Sequence, residues 1–265
     1  MQQNEKLPLI IAHRGASADA PENTLAAFQK AVEAGADGIE FDVRPAKDGV
    51  PIVFHDATLR RLAKKDGRVA DFTAAELNEI DVGSWFNRAF PRRADEKFAA
   101  ATIPTFEQLL NFLSGYEGTL YVELKGERMI RVLAEAVCDL IVKSAALPRI
   151  VVKSFNLEAI KLVKEILPTV RTAALFEPKI LTILRRKKLI LDEAEKHRAD
   201  EISLHRSLAT KNFVALAHER NFSTVVWTAN STVWVERARN FGINAVITNY
   251  PARLLAARQE ISKEN

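Results

Sequence analysis

The sequence predicts an α/β fold, a (β/α)8 TIM barrel with a small insertion after the second strand. Three observations point there. The length, 265 residues, is close to the roughly 250 residues typical of such barrels. Eight short apolar segments read as strands. Helical patterns separate nearly all of them, the rhythm of a parallel sheet wrapped in helices. The whole chain, 1–265, reads as one catalytic-sized domain, with the insertion or cap at approximately 44–103.

Composition excludes several classes. Hydrophobic residues make up 48% and charged residues 27% of the chain, the balance of a globular protein rather than a disordered or membrane one. The 38 Lys and Arg exceed the 34 Asp and Glu by only four. That is a mild bias towards anionic partners, without the clustered positive charge of a nucleic-acid binder. Cys138 is the sole cysteine and lies in the helical pattern RVLAEAVCDLIVK, so a buried thiol is expected and no intrachain disulfide. The apolar run Leu7–Ala12 stops at His13-Arg14, too short for a secretory signal core, and no later segment approaches a membrane span. A cytoplasmic protein without stable membrane insertion is expected; oligomeric state has no signature here.

Leu7–Ala12 is the first strand. His13-Arg14-Gly15 follows, and Pro21-Glu22-Asn23-Thr24 opens a helix with the stripe Leu25, Phe28, Val32 and a stop at Gly35. A helix start beside an arginine fork is suited to an anionic phosphate group. The second strand is Gly38–Val43, where period two sends Glu40 and Asp42 to one face and Ile39, Phe41 and Val43 to the other. Lys47-Asp48-Gly49 reads as a turn and Pro51–Phe54 as a short strand outside the barrel count, delivering His55 and Asp56. Residues 57–103 are short, charged pieces with nine basic and seven acidic residues, read as a solvated excursion beside the pocket.

Regular units resume with the helical stripe Phe106, Leu109, Leu110, Leu113 and the strand Leu120–Lys125, which puts Tyr121, Glu123 and Lys125 on one face. Helix 127–144, strand Ile150–Phe155, helix 157–167, strand Val170–Phe176, helix 178–198, strand Glu201–His205, helix 210–220, strand Thr224–Thr228, helix 231–241 and strand Ala245–Thr248 complete the expected series. The basic run Arg185-Arg186-Lys187-Lys188 reads as a solvated helix face. His197 and His218, in helical patterns with charged neighbours, read as surface or packing residues.

In such a barrel the active site forms at the carboxyl ends of the strands. His13 and Arg14 follow the first strand, Glu40 and Asp42 close the second, Glu123 and Lys125 close the third, and His55 comes from the insertion. His205 and Trp227 end later strands and line the same opening. Three inward carboxylates would repel one another unless a cation neutralises them. Glu40, Asp42 and Glu123, with no cysteine among them, form a hard oxygen set suited to Mg²⁺, Ca²⁺ or Mn²⁺ and unlike structural zinc.

These pieces together resemble the glycerophosphodiester phosphodiesterase family, and the compact cytoplasmic bacterial enzymes within it most of all. The resemblance rests on His13-Arg14-Gly15, Pro21-Glu22-Asn23-Thr24, Glu40-x-Asp42, Lys47-Asp48-Gly49, His55-Asp56, Ile103-Pro104-Thr105, Val122-Glu123-Leu124-Lys125, Ser154-Phe155 and Trp227-Thr228, and spans nearly the whole chain. It implies metal-dependent hydrolysis of glycerophosphodiesters, such as glycerophosphocholine and glycerophosphoethanolamine, to glycerol 3-phosphate and an alcohol. By matching motif, Glu40, Asp42 and Glu123 would hold one divalent cation, His13 and His55 would be the acid–base pair, and Arg14 and Lys125 would hold the phosphate. Trp227 would pack against the glycerol carbons. The two histidine roles can be exchanged, and water and the neighbouring glycerol hydroxyl are both candidate nucleophiles. Two positions depart from the family pattern: Ala46 replaces the usual Thr, and Asn249 the usual Asp. Neither falls on an implied ligand.

Three rivals belong to other classes. A lysophospholipase D or phospholipase C-like enzyme on membrane lipids needs an apolar docking insertion, which is not evident. A non-catalytic phosphate-binding barrel would not need the full set His13, Arg14, Glu40, Asp42, His55 and Glu123, all present. Schiff-base chemistry at Lys125 or Lys153 leaves three acids and two histidines without a role.

Overall fold

In the computed structural model, residues 6–126, 129–178 and 187–263 are described. Among the described residues nine strands form: β1 (Leu9–His13), β2 (Gly38–Pro45), β3 (Pro51–Val53), β4 (Thr119–Leu124), β5 (Ile150–Ser154), β6 (Arg171–Phe176), β7 (Glu201–His205), β8 (Ser223–Trp227) and β9 (Ala245–Thr248). Eight of them close a parallel ring in the order β1, β2, β4, β5, β6, β7, β8, β9 and back to β1. This is the expected TIM barrel. The ninth, β3, lies outside the ring and pairs antiparallel with the end of β2 through Val43 and Val53.

Strand alternation sorts the side chains into two compartments. Outward residues such as Ile39, Phe41, Val43, Val122 and Val152 pack under the helices with Phe28, Phe106 and Leu109. Phe41 stands 5.9 Å from both Phe28 and Phe106; its truncation to alanine would cost about 3–5 kcal/mol. Inward residues Ile11, Tyr121, Val151, Ala173, Val225, Ala245 and Ile247 plug the barrel. Gly38 begins β2 because a Cβ there would sit 2.7 Å from Ile11 Cδ1 and 2.6 Å from the Thr119 carbonyl oxygen.

At the amino-terminal end of the ring, Asp37, Asp200 and Asn244, each immediately before a strand, accept the backbone amides of Ile10 (2.7 Å), Thr172 (2.7 Å) and Thr224 (2.8 Å). Arg258 clamps Asp37 from helix Pro251–Lys263. That helix was not among the expected elements. Deeper in the barrel the Tyr121 hydroxyl donates to Glu201 Oε2 at 3.0 Å.

The segment between β3 and β4 consists of short turns of helix, including Arg60–Ala63, Ala74–Asn78 and Ser84–Ala89. They enclose a small core of Ile52, Phe54, Leu62, Leu77 and Ile103, and Phe86 packs with Ala27 of helix Leu25–Glu33. Cys138 is buried in helix Ile130–Lys143, where desolvation pushes its thiol up to about 11. The start of the expected helix 127–144 and residues 179–186 of helix 178–198 lie outside the described residues; Lys187–Lys196 is helical. Arg185 and Arg186 of the basic run are likewise outside, and Lys188 is exposed. His197 packs between helices, its ring nitrogens 2.7 Å from the Glu193 carbonyl oxygen and 3.3 Å from Glu158 Oε1. Among the described residues no helix is long and apolar enough to cross a membrane.

Candidate active site

The strand register sets out the mouth one residue at a time. His13 of β1 lies beside Glu40 of β2, Asp42 beside Glu123 of β4, and Glu123 beside Lys153 of β5. Since alternate residues face inward, these side chains meet at the carboxyl end of the ring. Glu40, Asp42 and Glu123 are 1%, 1% and 6% exposed, and one oxygen from each lies within 4.8 Å of the others.

Cations surround the three acids. Arg14 Nε is 3.1 Å and Lys125 Nζ 3.2 Å from the Asp42 carboxylate. Lys125 Nζ also lies 2.5 Å from Glu123 Oε1. Burial alone would raise the Asp42 carboxyl, but Arg14 and Lys125 hold it well below the usual carboxylate range. Glu40 is likewise lowered, against its burial, by Lys153 and His13. Glu123 goes the other way: burial raises it beyond what Lys125 offsets. The Lys125 ammonium is raised, against its own desolvation, by Asp42 and Glu123.

Two backbone features aim these groups. Arg14 and Asn23 both adopt left-handed conformations (φ 56° and 58°), which turn the loop after β1 over the mouth. The Arg14 amide then donates to Glu40 Oε2 at 3.2 Å, and Asn23 Nδ2 donates to Asp42 Oδ2 at 2.9 Å. Gly15 follows at φ 77°, where a Cβ would clash with the backbone of Ala27 at 2.6 Å. Thr24 caps helix Leu25–Glu33 by accepting the Ala27 amide.

The histidines sit on opposite sides of sequence but line one cavity. His13 Nδ1 donates to Asn249 Oδ1 at 2.7 Å, because an amide oxygen only accepts; Nε2 keeps its lone pair, 3.9 Å from Glu40 Oε2. Desolvation lowers the His13 pKa below 6.5, with Glu40 pulling the other way. His55 Nδ1 lies 2.7 Å from Asp56 Oδ1. Asp56 is held by Arg61 Nε at 2.5 Å, Arg61 forks onto Glu22 at 2.7 and 2.9 Å, and Glu22 holds Arg14 at 2.7 Å. A continuous polar chain thus runs from His55 in the insertion to Asp42 in the barrel.

His13, Arg14, Glu40, His55, Glu123, Lys125, Lys153, Phe155, Glu177, Trp227 and Thr228 line a cavity of about 190 Å³. Trp227 stands edge-on to Phe155 at 5.5 Å. His205 packs against Trp227 at 5.4 Å and is not part of the cavity wall. Every other residue expected at the mouth is there, with Asp42 directly behind the wall. The sequence reading gave no place at the mouth to Asn23 or the Glu22–Arg61 pair, and met Lys153 only as a Schiff-base candidate. Lys153 had a signal, since Val151 and Lys153 share the inward phase of an otherwise apolar strand.

A parallel barrel whose carboxyl-end mouth collects three buried carboxylates, cationic side chains and two histidines is built to handle an anionic substrate. The glycerophosphoryl diester phosphodiesterase family model matches residues 13–253. A glycerophosphodiester phosphodiesterase of Bacillus subtilis is 30% identical over 251 residues, 92% of this chain and 84% of that protein. The enzyme of the same name from Caldanaerobacter subterraneus is 30% identical over 258 residues, covering 93% and 96%. An Oleispira antarctica phosphodiesterase, solved in complex with the product sn-glycerol-3-phosphate, superposes with a TM-score of 0.84 at 27% identity, over 96% of this chain and 97% of that one. The chain belongs to the glycerophosphoryl diester phosphodiesterase family and is an enzyme of that class.

Proposed function

We propose that the enzyme hydrolyses glycerophosphodiesters, such as glycerophosphocholine and glycerophosphoethanolamine, to glycerol 3-phosphate and an alcohol, with Glu40, Asp42 and Glu123 holding one divalent cation, Mg²⁺, Ca²⁺ or Mn²⁺. One observation carries this reading: in a chain of this family, Glu40, Glu123 and both histidines line a single small cavity, with the Asp42 carboxylate within 4.8 Å of the other two acids. The donor set fits a hard cation, being all oxygen, with one carboxylate oxygen from each of the three acids within 4.8 Å of the others. When bound, such a cation neutralises charge on the phosphoryl group and polarises it towards attack.

The chain's own residues then have defined tasks. Arg14 and Lys125 orient the phosphate and offset its charge. His13, with its proton fixed on Nδ1, accepts one at Nε2 from the attacking oxygen, while His55 delivers one to the departing alkoxide. Asp56 holds the His55 ring at Nδ1, which leaves Nε2 to deliver the proton. Trp227 packs against the glycerol carbons and excludes water. The cytoplasmic setting expected from the resemblance is part of the proposal.

The test is release of glycerol 3-phosphate from glycerophosphocholine with Mg²⁺, Ca²⁺ or Mn²⁺ and with excess chelator. Turnover is expected with metal and is expected to vanish with chelator and in Glu40→Ala. Undiminished turnover in chelator would refute the cation role, and no turnover of any glycerophosphodiester with any metal would refute the substrate.

A further inference from the structure

Lys153 has no task in the chemistry above, yet its ammonium stands inside the carboxylate cluster. It projects from β5 beside Glu123 and is 2% exposed. Nζ lies 2.8 Å from Glu40 Oε1 and 3.8 Å from Glu123 Oε2. Counting Lys125 on Glu123 and Asp42 and Arg14 on Asp42, three carboxylates face three cations. Each carboxylate is thus already met by a cation, with Arg14 shared between Asp42 and Glu22.

That balance bears on any added ion. A hard dication takes carboxylate oxygens at about 2.0–2.6 Å, and Glu40 Oε1 cannot face both such an ion and an ammonium in the same small space. A dication added to a buried cluster whose acids are already paired brings positive charge that those acids no longer offset, which is costly away from water. A phosphate monoester carrying close to two negative charges restores the balance. Lys153 already lines the cavity, so an ammonium displaced from Glu40 meets the phosphate oxygens there.

We infer that Lys153 is a resident counter-ion that competes with the divalent cation for Glu40 and Glu123, so that cation and anionic phosphate ligand bind cooperatively. The inference rests on the reading of Glu40, Asp42 and Glu123 as the cation site. It makes Lys153 a positioning residue: it tunes when the cation enters.

The experiment is calorimetric titration of Mg²⁺, Ca²⁺ and Mn²⁺ into the chelator-treated full chain, with and without saturating glycerol 3-phosphate, for the wild type, Lys153→Met and Lys153→Gln. In the wild type, glycerol 3-phosphate is expected to tighten cation binding at least tenfold, and the cation to tighten glycerol 3-phosphate by the same factor, as linkage requires. Both variants are expected to bind the cation at least tenfold more tightly than wild type without glycerol 3-phosphate, with the cooperativity reduced. Variants that bind the cation as the wild type does would overturn the role of Lys153 and leave the cation site standing. Should neither variant fold, absence of cooperativity in the wild type overturns it. No cation binding in any protein, with or without glycerol 3-phosphate, overturns both the inference and the site.

Discussion

The two ends of the barrel use the same acidic side chains in opposite ways. At the amino-terminal end, Asp37 and Asp200 also meet cations, Arg258 and Lys164, but each accepts a backbone amide of a neighbouring strand as well, a donor that cannot move without unravelling the sheet. At the mouth, Glu40, Asp42 and Glu123 are balanced chiefly by Arg14, Lys125 and Lys153, whose long stems can turn away. A carboxylate met by fixed amides contributes stability; one met by movable cations can exchange those partners for a ligand. The division of labour lies in the donors.

The largest effect should come from the mouth. His13→Ala removes the proposed base, and kcat/KM for glycerol 3-phosphate release should fall roughly 10²–10⁴-fold, with the thermal midpoint little changed. A collapse of Tm alongside activity would contradict the separation of the two ends. Asp37→Ala should do the reverse. It loses the Ile10 amide and the Arg258 clamp, worth about 2 kcal/mol for a charge-assisted partner. In a chain of this size that lowers Tm by roughly 4–8 °C, while activity at 25 °C persists.

The smallest effect concerns Glu201, which sits among the inward residues between the two ends. Burial raises its carboxyl above the ordinary value of 4.5, and Arg171 only partly offsets this. The folded chain therefore binds a proton there that the unfolded chain has released. This contribution to stability is complete below pH 4.5 and is lost as pH rises through the raised folded value. Glu201→Gln stays neutral throughout, so thermal melts across that range should show a flatter decline with pH. An unchanged slope would mean that Glu201 is ionised in the folded state.

The β period made much of this legible. Once Ile39, Phe41 and Val43 face the helices, Glu40 and Asp42 must face inward, and parallel register brings Glu123 to them. Lys153 was harder to place, because one lysine in Ile150–Ser154 acquires its meaning only when register sets it beside Glu123. The same holds for Arg61, one of nine basic residues in a charged stretch, whose partner Glu22 is 39 positions away. Helix Pro251–Lys263 escaped because its buried apolar residues, Leu254 and Leu255, gather near its start and leave the rest of it without an apolar stripe. Asn249 was visible only as a departure from family pattern; the fold turns it into the partner of His13.

The polar chain from His55 through Asp56, Arg61, Glu22 and Arg14 to Asp42 has a consequence for how this protein can change. Neighbours in one network do not respond independently to substitution, so the cost of altering Arg61 depends on what occupies position 22. The insertion is thus not an interchangeable module. A cap transplanted from a relative would have to bring its own cation for Glu22, or arrive with a compensating change in the loop after β1.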